Sequence, residues 1–149
     1  MSSVFGTAAI VIVTFLLIVL IWRLVRGYYP GSKYIIEAAP PETNGLDKKH
    51  ARFMFFYASW CPWCRKADPI WRSFKKHVEN TKAKFGGMTI IFEEINIDHD
   101  KGKTALYNIK EYPTFKLETR DTVYKLVAIP NDTTFEEFLV AILGKKTVG

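Results

Sequence analysis

The stretch FMFFYASWCPWC, residues 53–64, decides the fold that this sequence predicts. Its first five residues, 53–57, are all apolar or aromatic and are followed by small residues. Such a short apolar run is typical of a central strand that is buried on both faces. Pro62 suits the first turn of a helix, because that turn does not use the N–H group that proline lacks. The stretch therefore predicts a buried strand that turns directly into a helix at Cys61.

The chemistry of this stretch lies in its two cysteines, Cys61 and Cys64, which are the only cysteines of the chain. At the N-terminus of the predicted helix, unpaired backbone N–H groups and the helix dipole favour the thiolate of Cys61. Three residues along a helix, Cys64 returns to the same face, within reach of a mixed disulfide formed at Cys61. The spacing predicts an exposed nucleophile, Cys61, and a resolving thiol, Cys64.

Outward from this stretch, strand and helix patterns alternate. Apolar residues at Ile70, Phe74 and Val78 predict an amphipathic helix that is broken by the following glycine pair, residues 86–87. A capping-box pattern at residues 133–136 and a stop at Gly144 predict the last helix. The remaining predictions are strands at 33–37 and 88–97, a short helix at 103–108 and a hairpin of 115–119 with 123–128. This order predicts an α/β domain whose helices cover both faces of a central sheet.

The N-terminus has a different composition. Residues 1–22 contain no Lys, Arg, Asp or Glu, and residues 4–22 form an almost unbroken apolar run. A helix of that length spans about 28 Å, close to the thickness of a bilayer's hydrocarbon core, so residues 4–22 predict a transmembrane helix in contact with lipid. The alternative, a cleaved secretory signal, calls for a basic start and a shorter apolar run. The neighbouring aromatic residues predict an interfacial belt at Trp22, Tyr28 and Tyr29.

The charges that flank the apolar run predict its orientation. Arg23, Arg26 and Lys33 follow the run, and no basic residue precedes it. The positive-inside rule therefore predicts a single-pass membrane protein with its soluble domain in the cytosol. The predicted parts of the chain are a transmembrane helix at 4–22, a juxtamembrane linker at 23–32, a domain at 33–144 and a C-terminal tail at 145–149.

Composition excludes several other classes. The chain has 149 residues, which is enough for one domain, and two cysteines are too few for a disulfide-stapled miniature. Its net charge of +6 comes without a long basic run or an RNA-reader signature, so we expect no nucleic-acid partner. A structural zinc site is the alternative for the cysteine pair. The chain has no second pair, however, and its histidines show no ligand spacing, so we expect no metal.

Taken together, these motifs resemble the thioredoxin superfamily. Residues 56–61 are similar to the strand and turn that lead into the active site of thioredoxins and protein disulfide isomerases, and Pro69 matches the proline that kinks their active-site helix. Residues 95–98 resemble the exit of the third strand, and residues 112–114 match the cis-proline loop that faces the dithiol. The resemblance implies a thioredoxin-like fold, a central mixed sheet covered by helices on both faces.

The resemblance also implies a function, thiol–disulfide exchange on protein substrates that contain cysteines. Cys61 and Cys64 would be catalytic, no metal or organic cofactor is needed, and a redox partner would recycle the dithiol. The substrate contacts that the family implies are Trp60, Pro62, Trp63, Tyr112, Pro113 and Thr114. Reduction, formation and isomerisation of disulfides stay open, because the pair between the cysteines departs from the family's usual pairs and helps to set the redox poise.

A second departure concerns the proton of Cys64. Phe55 stands where these proteins usually carry a buried acidic residue that helps to deprotonate the resolving cysteine, so proton transfer here needs water or another group. The alternative function is a membrane-anchored docking or structural protein, for example a component of a virus particle, with vestigial redox activity. Fast alkylation of Cys61 and a mixed disulfide in a Cys64→Ser variant are expected only of the enzyme.

Overall fold

Four helices and seven strands are defined in the residues that the computed structural model describes, 2–26, 33–38 and 44–149. The helices are α1 (Ser2–Arg26), α2 (Pro62–Asn80), α3 (Lys101–Leu106) and α4 (Asp132–Leu143). The strands are β1 (Tyr34–Ala38), β2 (His50–Tyr57), β3 (Lys84–Phe85), β4 (Met88–Asn96), β5 (Thr114–Glu118), β6 (Thr122–Leu126) and β7 (Lys146–Thr147). The predicted α/β class is confirmed.

All seven strands belong to one mixed sheet in the order β1-β6-β5-β2-β4-β3-β7. Strands β2 and β4 are parallel and are joined through α2, whereas every other pair is antiparallel. Tyr57 at the end of β2 pairs with Asn96 at the end of β4, and Phe56 pairs with Thr114 at the start of β5. The segments that follow β2 and β4 and the segment that precedes β5 therefore meet at one edge of the sheet.

The two faces of the sheet carry different cores. Helices α2 and α4 cover one face, where Phe53 is surrounded by aromatic rings and lies 4.9 Å from Trp71 between ring centroids. The other face has a smaller core around Met54 and Phe56, which is closed by Tyr107 at the end of α3 and contains both cysteines. Helices thus flank both faces, as the sequence predicts.

Two details at the C-terminal end differ from the predictions. The prediction of a capping box at 133–136 is wrong, because the N-cap of α4 is Asn131. The Oδ1 atom of Asn131 accepts a 2.8 Å hydrogen bond from the N–H of Thr134. Asparagine is as effective a cap as threonine, and Glu136 is engaged with Lys146 at 2.6 Å instead. Part of the predicted tail, 145–149, is strand β7, which pairs with β3 and extends the sheet.

Helix α1 includes the apolar run at 4–22, and most of its large apolar side chains between Ile10 and Leu24 are exposed. Among the residues that the structure describes, however, no helix is both long enough and apolar enough to cross a membrane. The transmembrane prediction is therefore not supported. Tyr28, Tyr29 and linker residues 27–32 lie outside the described residues.

Candidate active site

The edge of the sheet where β2 ends carries the dithiol. Cys61 is the N-cap of α2 and has an extended backbone, with φ of −81° and ψ of 117°. Pro62 begins the helix, and the backbone N–H of Cys64 donates a 3.3 Å hydrogen bond to Sγ of Cys61. The helix N-terminus also places its positive partial charge beside this sulfur. The prediction that Cys61 stands at the strand-to-helix turn, with Cys64 one turn further along, is confirmed.

Cys61 lies deeper than the sequence predicted. The residue is 5% exposed, so the prediction of an exposed nucleophile is wrong in this respect. Its thiol donates to the backbone carbonyl of Tyr112, with 3.9 Å between sulfur and oxygen. The ring of Trp60 meets the ring of Tyr112 edge-on, with centroids 6.2 Å apart. These contacts join the turn after β2 to the loop before β5 and leave little of Cys61 open to solvent.

Cys64 is 2% exposed. Burial, and after it the hydrogen bond with Cys61, raise the pKa of the Cys64 thiol to about 11. This sulfur is therefore protonated at neutral pH and must lose a proton before it attacks a disulfide. Phe55 offers no help with that proton, because it is fully buried on the other face of the sheet and stacks on Phe115 with centroids 4.8 Å apart.

The loop of residues 112–114 lies beside Cys61. The peptide bond between Tyr112 and Pro113 is cis, and both residues are half-buried. Thr114 is buried, and its hydroxyl donates a 2.6 Å hydrogen bond to the carbonyl of Glu111. The side chain of Thr114 is therefore occupied inside the domain and does not stand at the rim, where a substrate contact would place it.

The exposed rim of the site is aromatic. Trp60 is 62% exposed and Trp63 is 67% exposed, on either side of the exposed Pro62. The indole N–H of Trp60 donates a 3.3 Å hydrogen bond to Asp98, a residue in which the sequence indicated no role beyond that of a loop. The ammonium group of Lys66 lies 4.5 Å from the ring centroid of Trp63, a cation–π contact. These side chains offer an apolar surface next to the dithiol.

A cavity of about 250 Å³ opens on the other side of the dithiol. Its lining comprises Tyr57, Ala58, Ser59, Cys64, Arg65, Asp68 and Arg72. Cys64 thus borders this rear cavity, and Cys61 is not part of its lining. Sequence reasoning did not single out Asp68, although its position four residues after Cys64 on a helix is a signal that points to it.

The chemistry available to this arrangement is that of two adjacent thiols. In the described ranges 2–26, 33–38 and 44–149, no three His, Cys, Asp or Glu side chains are grouped as a metal site requires. Both cysteines are free thiols one helical turn apart, so that one is able to displace a partner from the other.

Comparison with known proteins agrees with this geometry. The sequence matches the family model described as Thioredoxin over residues 43–141, which is more than half of the chain. Mouse protein disulfide-isomerase A6 is 27% identical over 95 residues, which cover 62% of this chain and only 20% of that protein. The first thioredoxin domain of mouse protein disulfide-isomerase A4 superposes with a TM-score of 0.55 at 15% identity, covering 65% of each chain.

Human ERp44 also has a similar fold, with a TM-score of 0.54 at 17% identity over 64% of this chain and 28% of that one. At such identities the structural matches support the fold alone, whereas the family match extends from before β2 into α4 and includes both cysteines. The order of motifs that the sequence showed, the mixed sheet and the family match lead to the same assignment. The chain belongs to the thioredoxin family.

Proposed function

We propose that this protein is a thiol–disulfide oxidoreductase that acts on protein substrates through Cys61 and Cys64. The observation that carries the proposal is the 3.3 Å hydrogen bond from the Cys64 N–H to Sγ of Cys61 at the start of α2. It places one sulfur at the positive end of a helix and the second sulfur one turn away. That arrangement allows a captured substrate to be released by the neighbouring thiol.

The proposed cycle has two exchange steps. In the first, the Cys61 thiolate attacks one sulfur of a substrate disulfide, the substrate S–S bond breaks and one substrate thiolate leaves. In the second, Cys64 loses its proton and attacks Sγ of Cys61, so that the second substrate sulfur leaves and a Cys61–Cys64 disulfide forms. The substrate gains two electrons and the dithiol loses two. The reverse sequence oxidises a substrate dithiol, and a redox partner restores the starting state.

The rim residues support a role in holding a polypeptide substrate. Trp60 and Trp63 expose large rings beside the dithiol, and such rings contribute strongly to binding when a partner covers them. The loop of Tyr112 and Pro113 borders Cys61, and both residues are only half-buried, so part of each side chain is open to a substrate. Because Cys61 is 5% exposed, we expect an incoming disulfide to move the Trp60 ring away from Tyr112 before the sulfurs meet.

Catalysed reduction of insulin by dithiothreitol tests the proposal. The wild-type protein should accelerate precipitation of the released insulin chain, and the matched double variant Cys61→Ser/Cys64→Ser should leave the uncatalysed rate unchanged. Equal rates for the wild type and the double variant would reject the oxidoreductase.

One observation favours the alternative, a docking or structural protein in which redox activity is vestigial. Cys61 is nearly closed to solvent, whereas Trp60 and Trp63 are more than 60% exposed. A docking domain needs the exposed rings but not the thiol. Alkylation at neutral pH separates the two functions, because the enzyme requires Cys61 to react faster than an ordinary cysteine and the docking protein does not.

We also propose that residues 4–22 attach the protein to a membrane, with the soluble domain on the cytosolic side. The exposed apolar side chains of α1 and the absence of charged residues in 1–22 support attachment, since water solvates such a surface poorly. The full chain should float with membranes in a density gradient, and a chain that begins at residue 27 should not. Resistance to alkaline extraction separates an integral from a peripheral protein, and protease protection in vesicles tests the orientation.

A further inference from the structure

Three consecutive residues of the strand that leads to the dithiol offer no acceptor for the proton of Cys64. The neighbouring strand β2 contributes Met54, Phe55 and Phe56, all fully buried and none able to take a proton. Cys61 is the other thiol of the pair and must keep its sulfur for the exchange itself. An acceptor therefore has to lie on a different side of Cys64.

The rear cavity provides that side. The lining contains one carboxylate, that of Asp68. It is the lining group that is able to take a proton from a thiol at neutral pH. Cys64 and Asp68 are four residues apart on α2, so their Cβ atoms lie roughly 6 Å from each other on one helix face. Both residues border the same cavity of about 250 Å³. The cavity is large enough to hold water, and its polar lining residues are able to form hydrogen bonds with that water.

The carboxylate of Asp68 is fixed in place and open to solvent. The Nε–H of Arg72 donates to both of its oxygens, at 3.0 Å and 2.9 Å. The Asp68 side chain is 40% exposed, so a proton that reaches it passes readily to bulk water. Cys64 at the floor of the cavity is 2% exposed and lacks that direct route.

Other charged and titratable groups face the same space. From α2 they are Arg65 and Arg72, from β2 Tyr57, and from β4 Glu94, which lies 3.7 Å from Arg72. Two guanidinium groups beside the cavity favour the negative charge of a thiolate that forms at Cys64. The surroundings therefore favour transfer of a proton out of Cys64.

We propose that Asp68 accepts, through water in the rear cavity, the proton that Cys64 loses when it resolves a mixed disulfide at Cys61. The inference rests on the proposed oxidoreductase function and adds to it a residue that the function did not use. In the step, the S–H bond of Cys64 breaks, its electron pair forms the bond to Sγ of Cys61, and the substrate sulfur leaves with the pair of the broken disulfide. The proton moves to the Asp68 carboxylate and then to solvent.

The experiment follows single turnovers of the full chain. The reduced protein is mixed with an excess of a symmetric disulfide of a short cysteine peptide, quenched with acid at increasing times and analysed by intact mass. The masses separate the reduced protein, the peptide adduct and the internally oxidised protein, so the capture and resolution steps have separate rate constants.

In the Asp68→Asn variant, resolution should slow by about tenfold or more at neutral pH, with capture unchanged within about twofold. Between about pH 6 and about pH 9, its resolution rate should rise about tenfold per pH unit, because the thiolate fraction of Cys64 grows by that factor. The wild-type rate should rise less steeply, since the carboxylate takes the proton. The Asp68→Glu variant, which keeps the carboxylate, should recover most of the lost rate.

Glu79→Gln, which removes a carboxylate of α2 outside this cavity, is the matched control and should behave as the wild type. The pair between Asp68 and Arg72 is exposed, so the Asn variant should unfold at nearly the wild-type temperature. If that variant does not fold, Asp68→Ser is the second variant, because it removes the same carboxylate and leaves a smaller side chain.

The outcomes distinguish two failures. A wild-type protein that forms neither an adduct nor an internal disulfide rejects the proposed function, and this inference with it. A wild-type protein that captures and resolves normally, beside an Asn variant with the same resolution rate and the same pH profile, rejects the role of Asp68 alone.

Discussion

The two sulfurs of the dithiol are three residues apart in the chain but lie in different surroundings. Cys61 faces the loop before β5, where it contacts the carbonyl of Tyr112 beneath an exposed aromatic rim. Cys64 borders a rear cavity with Asp68 and two arginines in its lining. The difference teaches that one helical turn is enough to place two like groups in unlike surroundings. We propose that substrates reach Cys61 from the front and that the proton of Cys64 leaves from the rear.

The largest effect should come from removing the front sulfur. Cys61→Ser is expected to lower catalysed insulin reduction by at least about a hundredfold, because Cys64 is buried and protonated and is a poor replacement for the nucleophile. The insulin assay measures this directly. Activity retained in this variant would mean that the two sulfurs are interchangeable and that the comparison is wrong.

Removal of the rear sulfur should give a different defect. In Cys64→Ser, capture by Cys61 is expected to continue within about threefold of the wild-type rate, but the mixed disulfide has no neighbouring thiol to resolve it. Intact mass after mixing with the peptide disulfide should show a stable adduct of one peptide. Loss of capture in this variant would show that Cys61 depends on Cys64 for reactivity as well as for release.

Much of the fold is predictable because the patterns that specify it are local. The apolar run at 53–57 became β2, and the run at 88–97 became β4, since burial and strand preference act within a few residues. Strands β3 and β7, which are two residues long, carry no periodicity and were missed. Their existence depends on pairing between distant segments, which no local pattern reports.

In the candidate site, too, the features set by local sequence were predictable and those set by distant segments were not. The spacing of Cys61 and Cys64 predicted their positions on the helix, because a helical turn is a local feature. The burial of Cys61 depends on a contact between Trp60 and Tyr112, which are distant in sequence, and so escaped prediction. The role proposed for Asp68 depends on a cavity that β2 and α2 form together.

A pH series compares the two sulfurs quantitatively. Burial raises the pKa of Cys64 above its ordinary value of 9.0 to about 11, so less thiolate is present at any given pH. The rate of Cys64 alkylation should therefore rise about tenfold per pH unit and approach its plateau only near pH 11. Peptide mapping after timed labelling assigns the rate to each cysteine. A plateau at or below pH 9 would contradict the burial of Cys64.

The smallest effect should come from the rim. Trp63→Ala removes an exposed ring that contacts the ammonium group of Lys66. We expect kcat/KM for an unfolded protein substrate to fall by about threefold to tenfold. For a small disulfide, which is too short to contact the aromatic rim, we expect little change. Lys66→Ala is the matched control, because it removes the cation and keeps the ring. Equal losses for both substrates would place Trp63 in the chemistry instead of in binding.

The most direct test of the central claim is an equilibrium titration of the dithiol in glutathione buffers of increasing oxidising strength, read by intact mass. The account predicts one two-electron transition to a Cys61–Cys64 disulfide, at a potential between about −270 and about −120 mV, the range of thioredoxin-like proteins. Its position in that range separates a reductase from an oxidase. Separate glutathione adducts on the two cysteines, or thiols that stay reduced in every buffer, would contradict the claim that the pair acts as one redox centre.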